Sequence, residues 1–373
     1  MVTANSQEDY QNFRSDSLTI NLSILLAKPT GISNYAINII PYLKSLEPTL
    51  LTAQNFPDFN CYGIPNNLTP ADGIKGHLRR IFWTQFHLPK ICKQLKSRLL
   101  FSPLSEAPLY TDSRFVVMCH DLIPLRFPKG LSPLTIYWRN YVPQVLKQAQ
   151  QIICNSQSTA DDIINFYHIP ASKITPILLG YDREHFRPCP EKWREDEGYF
   201  LYLGRHEPYK NLQRLMSAFA ALPNRGKYEL WLAGPVDGRY TPVLQTQVAE
   251  LGITEQVRFL NYVSYDQLPH IIHGAIALVF PSLWEGFGFP VLEAMACGTP
   301  VITSNLSSLP EVAGDAAILI NPYNIAEITQ AMEMIAEDRE LRSHLSIKSI
   351  NRANQFSWEK TALATVEVLS RYL

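Results

Sequence analysis

Several features that would mark a specialised class of protein are missing from this sequence. The formal net charge is −1 over 373 residues, so no overall field attracts nucleic acid. No apolar run approaches the ~20 residues that span a bilayer. The first ten residues contain no basic stretch followed by an apolar one, as a signal peptide would. We therefore expect a cytoplasmic protein.

The chain also lacks the usual motifs for a bound metal or for ATP. Its six cysteines are scattered without metal or disulfide spacing, which favours reduced core residues. There is no strict Asp-x-Asp and no His/Cys cluster with metal spacing, so we expect neither a metal nor a cofactor. No G-x-x-x-x-G-K-[ST] loop occurs, which argues against an ATPase.

The most informative stretch of the sequence is 280–300. It follows an apolar run typical of a strand buried on both faces. Gly286 and Gly288 then leave the backbone bare enough for a ligand to approach. Pro290 suits the first position of a helix, and Gly298 suits its end. A strand, a glycine loop and a helix N-terminus together predict an anion-binding site.

Two carboxylates lie in this stretch, eight residues apart. Glu285 falls in the glycine loop, and Glu293 is expected in the first helical turn. The pair suits sugar hydroxyls on either side of a bound diphosphate. Taken alone, Glu293 could merely complement the helix dipole and Glu285 could be a solvated loop residue. Their spacing within a strand, glycine loop and helix favours a functional role.

The stretch PSLWEGFGFPVLEAMACGTPVITS resembles the signature of the retaining glycosyltransferases of family 4, which have the GT-B fold. The resemblance implies an α/β protein with two Rossmann-like parallel-sheet domains facing a central cleft and a C-terminal helix that crosses back to the N-terminal domain. We predict an acceptor domain at 1–187, a nucleotide-sugar donor domain at 188–355 and the returning helix at 356–373. The polar, proline-rich run 188–198 is the predicted linker.

A histidine follows another strand-like run, in the sequence CHDLIPLRFP. A side chain at the carboxyl end of a parallel strand points into the crevice where α/β proteins bind ligands. A lone histidine is more often structural, but this segment resembles the His-Asp-x-x-Pro element of many family 4 enzymes. That resemblance implies that His120 faces the donor sugar, and we assign Asp121 a structural role.

Arg205 and Lys210 flank a turn after the strand-like run 199–203. Two cations at such a turn can converge on one anion, with arginine binding a phosphate bidentately and lysine acting as a point charge. A surface turn paired to Glu207 is the alternative. The resemblance to the family's Gly-Arg…Lys-Asn element implies that both cations hold the donor's diphosphate.

Gly31 lies at a strand-to-helix turn that is either a plain turn or, as the resemblance implies, part of the donor site. The resemblance also puts Gly234 and Val263 beside the nucleotide. The predicted catalytic residues are His120, Arg205, Lys210 and Glu285. The predicted donor- and nucleotide-binding residues are Gly31, Gly234, Val263, Gly286, Phe287, Gly288, Phe289, Leu292 and Glu293.

The expected activity is retaining, metal-independent transfer of a hexose from a nucleotide-diphosphate sugar to a growing glycan or lipid-linked saccharide. UDP-glucose is the first choice of donor and GDP-mannose the second. A sugar-nucleotide epimerase and a catalytically silent sugar-nucleotide-binding subunit remain as alternatives. The first would yield a rearranged sugar without acceptor, and the second would bind without turnover.

Residues 73–105 contain seven basic side chains and no Asp or Glu. Bulky apolar residues interleave with them, among them Phe82, Trp83 and Phe86. A peripheral contact of residues 73–98 with anionic lipid headgroups at the inner face of a membrane is one interpretation. The other is that the aromatic rings face the core and the cations are simply solvated.

Overall fold

The computed structural model describes residues 17–25, 31–69, 73–130, 132–188 and 198–373. These residues form two β-sheets, one of seven strands and one of six. Every pair of neighbouring strands is parallel. The prediction of an α/β protein with two parallel-sheet domains is confirmed.

The first domain comprises the seven-stranded sheet and the helices around it. Its strands are β1 (Ser17–Asn21), β2 (Thr49–Thr52), β3 (Asn60–Gly63), β4 (Ser97–Ser102), β5 (Phe115–Cys119), β6 (Gln151–Cys154) and β7 (Ile174–Pro176), in the spatial order β3-β2-β1-β4-β5-β6-β7. Its helices are α1 (Gly31–Ile39), α2 (Gly73–Phe86), α3 (Leu88–Gln94), α4 (Ile123–Arg126), α5 (Pro133–Asn140), α6 (Val142–Gln148) and α7 (Gln157–Tyr167).

The second domain comprises the six-stranded sheet and its helices. Its strands are β8 (Gly198–Leu203), β9 (Tyr228–Ala233), β10 (Val257–Asn261), β11 (Ala277–Phe280), β12 (Val301–Ser304) and β13 (Ile318–Ile320), in the order β10-β9-β8-β11-β12-β13. Its helices are α8 (Leu212–Ala220), α9 (Thr241–Glu250), α10 (Leu268–His273), α11 (Phe289–Ala296), α12 (Leu309–Ala313), α13 (Ile325–Glu337) and α14 (Arg339–Ala353), followed by α15 (Trp358–Ser370).

Central strands in both sheets are buried on both faces. All five residues of β5 and all four of β11 are buried. Helices cover each side of these strands, so every position must be apolar, and the sequence shows uninterrupted apolar runs. The strands expected from those runs are confirmed. The short strands β2 and β3, at one end of the first sheet, have no comparable run and are not predicted.

Helix α15 packs against the first domain. The hydroxyl of Thr361 donates a hydrogen bond of 2.8 Å to the carbonyl of Leu178. Beyond the helix end, the Tyr372 hydroxyl donates one of 2.8 Å to the side-chain oxygen of Gln151. The predicted return of the C-terminal helix is confirmed.

Most of the predicted linker, residues 189–197, lies outside the described residues. The first sheet ends at Pro176 and the second begins at Gly198, so the boundary predicted after 187 lies between them. Among the described residues, no helix is long and apolar enough to cross a membrane.

Candidate active site

The loop between β11 and α11, together with α11 itself, contains most of the predicted donor-site residues. Gly288 has a φ of +119°, a backbone conformation that residues other than glycine rarely adopt. A Cβ atom on Gly286 would lie 2.2 Å from the carbonyl oxygen of His120 in the first domain. The absence of a side chain at Gly286 therefore allows the backbone of the first domain to approach closely.

Serine hydroxyls from both domains hold this loop in place. The Oγ atom of Ser308 lies 3.0 Å from the carbonyl oxygen of Glu285 and 2.6 Å from that of Phe287. From the first domain, Ser156 donates a hydrogen bond of 2.8 Å to the carbonyl of Gly286. The loop is thus fixed at three successive residues.

Aromatic residues of the loop pack against protein. Phe287 of the loop and Leu292 of α11 are buried in the hydrophobic core, so their side chains are not available to a donor. The Phe289 ring centre lies 6.2 Å from that of Trp358 in α15. A Cβ atom on Gly31 would lie 3.8 Å from the Phe289 ring, which places the start of α1 beside the start of α11.

Lys210 and Glu285 form an ion pair in the cleft. The Nζ atom of Lys210 lies 2.6 Å from Oε1 of Glu285. The side chains are 12% and 11% exposed, so water screens the pair only partly. Two of the predicted catalytic residues are therefore in direct contact.

Glu293 is the fifth residue of α11, so it lies in the second helical turn and not in the first turn, where it was expected. The helix begins at Phe289, earlier relative to Glu293 than the sequence suggests. Its carboxylate forms no hydrogen bond with any part of the chain that the structure describes. Burial raises the pKa of Glu293 to about 7. An acceptor group of this kind is available to ligand hydroxyls.

His120 is held in a single orientation at the end of β5. Its Nε2 atom lies 2.9 Å from the carbonyl oxygen of Pro103, which can only accept, so Nε2 bears the proton. The Tyr35 ring meets the imidazole edge-on at 5.5 Å. Burial lowers the pKa of His120 to about 4, which makes the ring neutral near pH 7, with Nδ1 free to accept a hydrogen bond.

Asp121 shapes the turn that follows His120. Its Oδ1 atom accepts a hydrogen bond of 3.0 Å from the backbone N–H of Ile123. Burial is the main cause that raises the pKa of Asp121 to about 6, and the charge of Glu285 raises it further. The first domain therefore brings a second carboxyl group near the Lys210–Glu285 pair.

Arg205 follows β8 and has an exposed side chain. Its guanidinium forms no ion pair with any described residue, so it is free to bind an anion. A Cβ atom on Gly234 would lie 1.9 Å from the carbonyl oxygen of Gly204, so glycine is required where β8 and β9 end side by side. Val263 is half-buried just beyond β10. All three residues lie at the carboxyl edge of the second sheet.

Glu311 closes the cleft from the second domain. Its carboxylate accepts hydrogen bonds from the backbone N–H groups of Gln157 and Ser158, at 2.7 and 2.8 Å, where α7 of the first domain begins. An anion is favourable at a helix N-terminus. No local pattern in the sequence indicates this contact, because the partners are more than 150 residues apart.

Arg126 forms a second contact between the domains. Its guanidinium lies 3.3 Å from the ring centre of Trp284 in the second domain. It also pairs with the buried carboxylate of Asp162 in the first domain. Trp284 directly precedes Glu285, so this stacking holds the start of the Glu285 loop against the first domain. The sequence offers no local signal for the stack.

A cavity of about 360 Å³ lies between the domains. Its lining includes Ile123, Phe127 and Lys129 from the first domain and Glu207, Tyr209 and Tyr240 from the second. Lys129 and Glu207 form an ion pair of 3.3 Å across it. Tyr209 precedes Lys210, so the cavity adjoins the predicted catalytic residues.

The cleft thus holds free and paired cations, several carboxyl groups and a neutral histidine between two parallel-sheet domains. Ligands of open α/β sheets bind at the carboxyl ends of the strands, which is where these groups lie. Among the described residues, no group of three His, Cys, Asp or Glu side chains is placed to hold a metal. Fold and site define a GT-B type transferase.

Residues 181–352 match the family of glycosyl transferases group 1, and residues 29–185 match glycosyltransferase family 4. The O-antigen chain mannosyltransferase B of Escherichia coli is 34% identical over 68% of this chain and 69% of its own length. The O-antigen chain mannosyltransferase RfbU of Salmonella typhimurium is 27% identical over 82% of this chain and 87% of its own. The chain belongs to the family 4 glycosyltransferases.

Other comparisons concern longer proteins or the fold alone. The serotype-specific mannosyltransferase WbdA of Escherichia coli is 29% identical, but the chain spans about a third of its length (34%). Sucrose-phosphate synthase from Thermosynechococcus elongatus has a TM-score of 0.75 at 17% identity, over 95% of this chain and 98% of its own. HepE from Anabaena, solved with UDP and glucose, has a TM-score of 0.72 at 19% identity, over 95% of this chain and 100% of its own.

Proposed function

We propose that this glycosyltransferase moves a mannosyl group from GDP-mannose to a growing glycan in polysaccharide biosynthesis, with retention of configuration and without a metal. The observation that supports it most is the Lys210–Glu285 pair, 2.6 Å apart beside His120 and Asp121. A cation for the departing phosphate and a carboxylate for sugar hydroxyls lie together at the facing edges of the two domains.

In this proposal the predicted polar residues contact different parts of the donor. Arg205 and Lys210 stabilise negative charge on the departing diphosphate, together with the N-terminus of α11. Glu285 binds hydroxyl groups of the sugar, and Glu293 binds those of the ribose. His120, neutral and accepting at Nδ1, orients the sugar near the reacting carbon. The acceptor attacks from the side of the leaving group, and a phosphate oxygen takes its proton.

Mannose is preferred over glucose on the evidence of relatives. The relative with 34% identity over two thirds of both chains is named a mannosyltransferase, and so is RfbU. HepE was solved with UDP-glucose, but at this level of identity the likeness concerns the fold. UDP-glucose, the donor first expected from the sequence, is therefore the second candidate.

The acceptor enters through the cavity between the domains. Tyr209 and Tyr240 provide aromatic surface, and Lys129 and Glu207 provide polar groups. A mostly apolar pocket with a few placed polar groups suits a sugar ring. A lipid-linked saccharide at the cytoplasmic face of a membrane is the acceptor we favour.

The experiment is a measurement of free nucleotide released from a panel of UDP-, GDP- and ADP-sugars. Lys210→Ala and Glu285→Ala are the test variants. Lys348→Ala is the matched control, because Lys348 pairs with Asp315 at 2.9 Å on the surface. Slow release of GDP from GDP-mannose, lost in both test variants and kept in the control, is the expected result.

Other results would contradict the proposal in distinct ways. Release from UDP-glucose alone would overturn the choice of donor. A rearranged sugar formed without acceptor would indicate an epimerase, and binding without turnover in the presence of acceptor would indicate a silent subunit. Failure to bind any nucleotide would refute the donor site itself.

A further inference from the structure

An apolar row runs along the outer side of α2. Its members are Ile74, Leu78, Phe82 and Phe86, which are 67%, 59%, 57% and 58% exposed. Side chains four residues apart lie on the same side of a helix, so the four form one continuous strip. The rings of Phe82 and Phe86 contact each other at 4.7 Å.

The opposite side of α2 packs into the first domain. Gly76, Arg80, Trp83 and Thr84 are buried there. Trp83 faces the core, as one interpretation of this segment expects, whereas Phe82 and Phe86 face outward. A helix that packs one side into the domain and carries an apolar row on its exposed side presents a surface for a further partner.

Positive charge surrounds the apolar row. The exposed lysines of α2 and α3 are Lys75, Lys90 and Lys93. Residues 73–105 include no acidic residue. The carboxylate that follows, Glu106, is buried and paired with the one buried cation, Arg80, at 2.8 Å.

We propose that the apolar row and these cations bind a membrane surface that contains anionic lipids, with α2 lying in the headgroup layer. A helix with apolar side chains on one face and flanking lysines and arginines binds such an interface through both features. A second copy of the chain fits this surface poorly, because a symmetric contact would bring the same cations together. The proposal adds a partner to the proposed transferase, but its evidence is independent of the cleft.

The test is co-sedimentation of the full-length protein with vesicles of phosphatidylcholine alone or mixed with phosphatidylglycerol. The first variant is Leu78→Asp with Phe82→Asp, and the second is Lys75→Gln with Lys90→Gln and Lys93→Gln. Ile347→Asp is the matched control, because Ile347 is 61% exposed on α14 of the second domain. Circular dichroism and donor hydrolysis report whether each variant folds and keeps its cleft.

We expect the wild type and the control to bind the mixed vesicles at least tenfold better than phosphatidylcholine alone, and less well at high salt. The aspartate variant should lose binding, and the glutamine variant should lose the preference for phosphatidylglycerol. The proposal is refuted if the wild type stays in the supernatant, or if folded variants sediment as it does. A dimer that the aspartate variant dissociates would also refute it. None of these results depends on which donor the cleft binds.

Discussion

Lys210 and Glu285 bind each other across the cleft loop, with 2.6 Å between Nζ and Oε1, although the sequence assigns them to different parts of one donor. Lys210 is expected to contact the diphosphate, and Glu285 the sugar. Each residue keeps further hydrogen-bonding capacity, because a lysine ammonium has three N–H donors and a carboxylate has two acceptor oxygens. The pair holds two opposite charges together in the cleft, although the two residues are 75 positions apart in the chain.

The stability of this pair can be measured with a double-mutant cycle on Lys210→Ala and Glu285→Ala. Each single variant leaves a mostly buried charge without its partner and should lower the free energy of unfolding. The double variant should lose less free energy of unfolding than the two single variants lose together, with a coupling energy of roughly 0.5–3 kcal/mol. Urea unfolding gives all four values. The same cycle on the exposed pair Lys348 and Asp315 should give about 0–1 kcal/mol. Strict additivity at Lys210 and Glu285 would show that the contact does not exist in solution.

Glu293 should make stability depend on pH. Burial raises its pKa to about 7, so the folded chain holds this proton more tightly than the unfolded chain does. Its contribution therefore favours folding most at low pH and weakens as the pH rises through about 7. Glu293→Gln should gain stability relative to the wild type between about pH 5 and about pH 8, measured by urea unfolding. Glu359→Gln, at an exposed position, should show no such trend. If the difference in free energy of unfolding between Glu293→Gln and the wild type did not change with pH, the prediction of a buried, titrating carboxyl group would be wrong.

Much of the chain could be predicted because its signals are local. The buried strand β11, the glycine loop and the helix that follows are formed by consecutive residues. Ser357 caps α15, as a serine before a helix often does, and its side chain accepts a hydrogen bond from the N–H of Lys360. The apolar side chains over 131–150 have the spacing of one helix, but the structure has two, α5 and α6, which meet at Tyr141. Pro143 lies in the first turn of the second, where its missing N–H is tolerated.

The contacts that close the cleft could not be predicted in this way. Glu311 caps a helix of the other domain, and Arg126 stacks on Trp284. Neither residue lies in a pattern that indicates its partner, because each contact joins segments that only the folded domains bring together. The predicted catalytic residues also come together only in the folded chain. They could be predicted because the family resemblance indicates which residues share one site.

Loss of the Glu311 carboxylate should open the cleft. Glu311→Ala removes the acceptor for two backbone N–H groups of α7, at 2.7 and 2.8 Å, a contact comparable to a helix cap of about 1 kcal/mol. We expect a larger radius of gyration by small-angle X-ray scattering and a lower kcat/KM, with little change in circular dichroism. Glu340→Ala, an exposed glutamate of α14, is the control. An unchanged radius of gyration would show that other contacts suffice to hold the domains.

The cavity between the domains should determine acceptor affinity. Tyr240→Ala removes an aromatic ring from its lining, while the donor contacts proposed for Lys210 and Glu285 remain. We expect KM for a saccharide acceptor to rise about tenfold, equivalent to ~1.4 kcal/mol, with hydrolysis of the donor in the absence of acceptor little changed. Val236→Ala, exposed in the same loop, is the control. An equal rise in KM for the donor would show that Tyr240 belongs to the donor site.

Gly286 is the position where the smallest change should have the largest effect on activity. A Cβ atom there would lie 2.2 Å from the carbonyl oxygen of His120 and 2.9 Å from Cβ of Asp121. Backbone cannot yield as a flexible side chain can, so Gly286→Ala must displace the loop or separate the domains. A displacement of ~1 Å at a catalytic site can cost about a hundredfold in rate, and we expect a loss of that order in kcat/KM. Gly226→Ala is the matched control, because a Cβ atom there meets nothing within 4 Å. Full activity in Gly286→Ala would mean that the two domains do not meet at this point during the reaction.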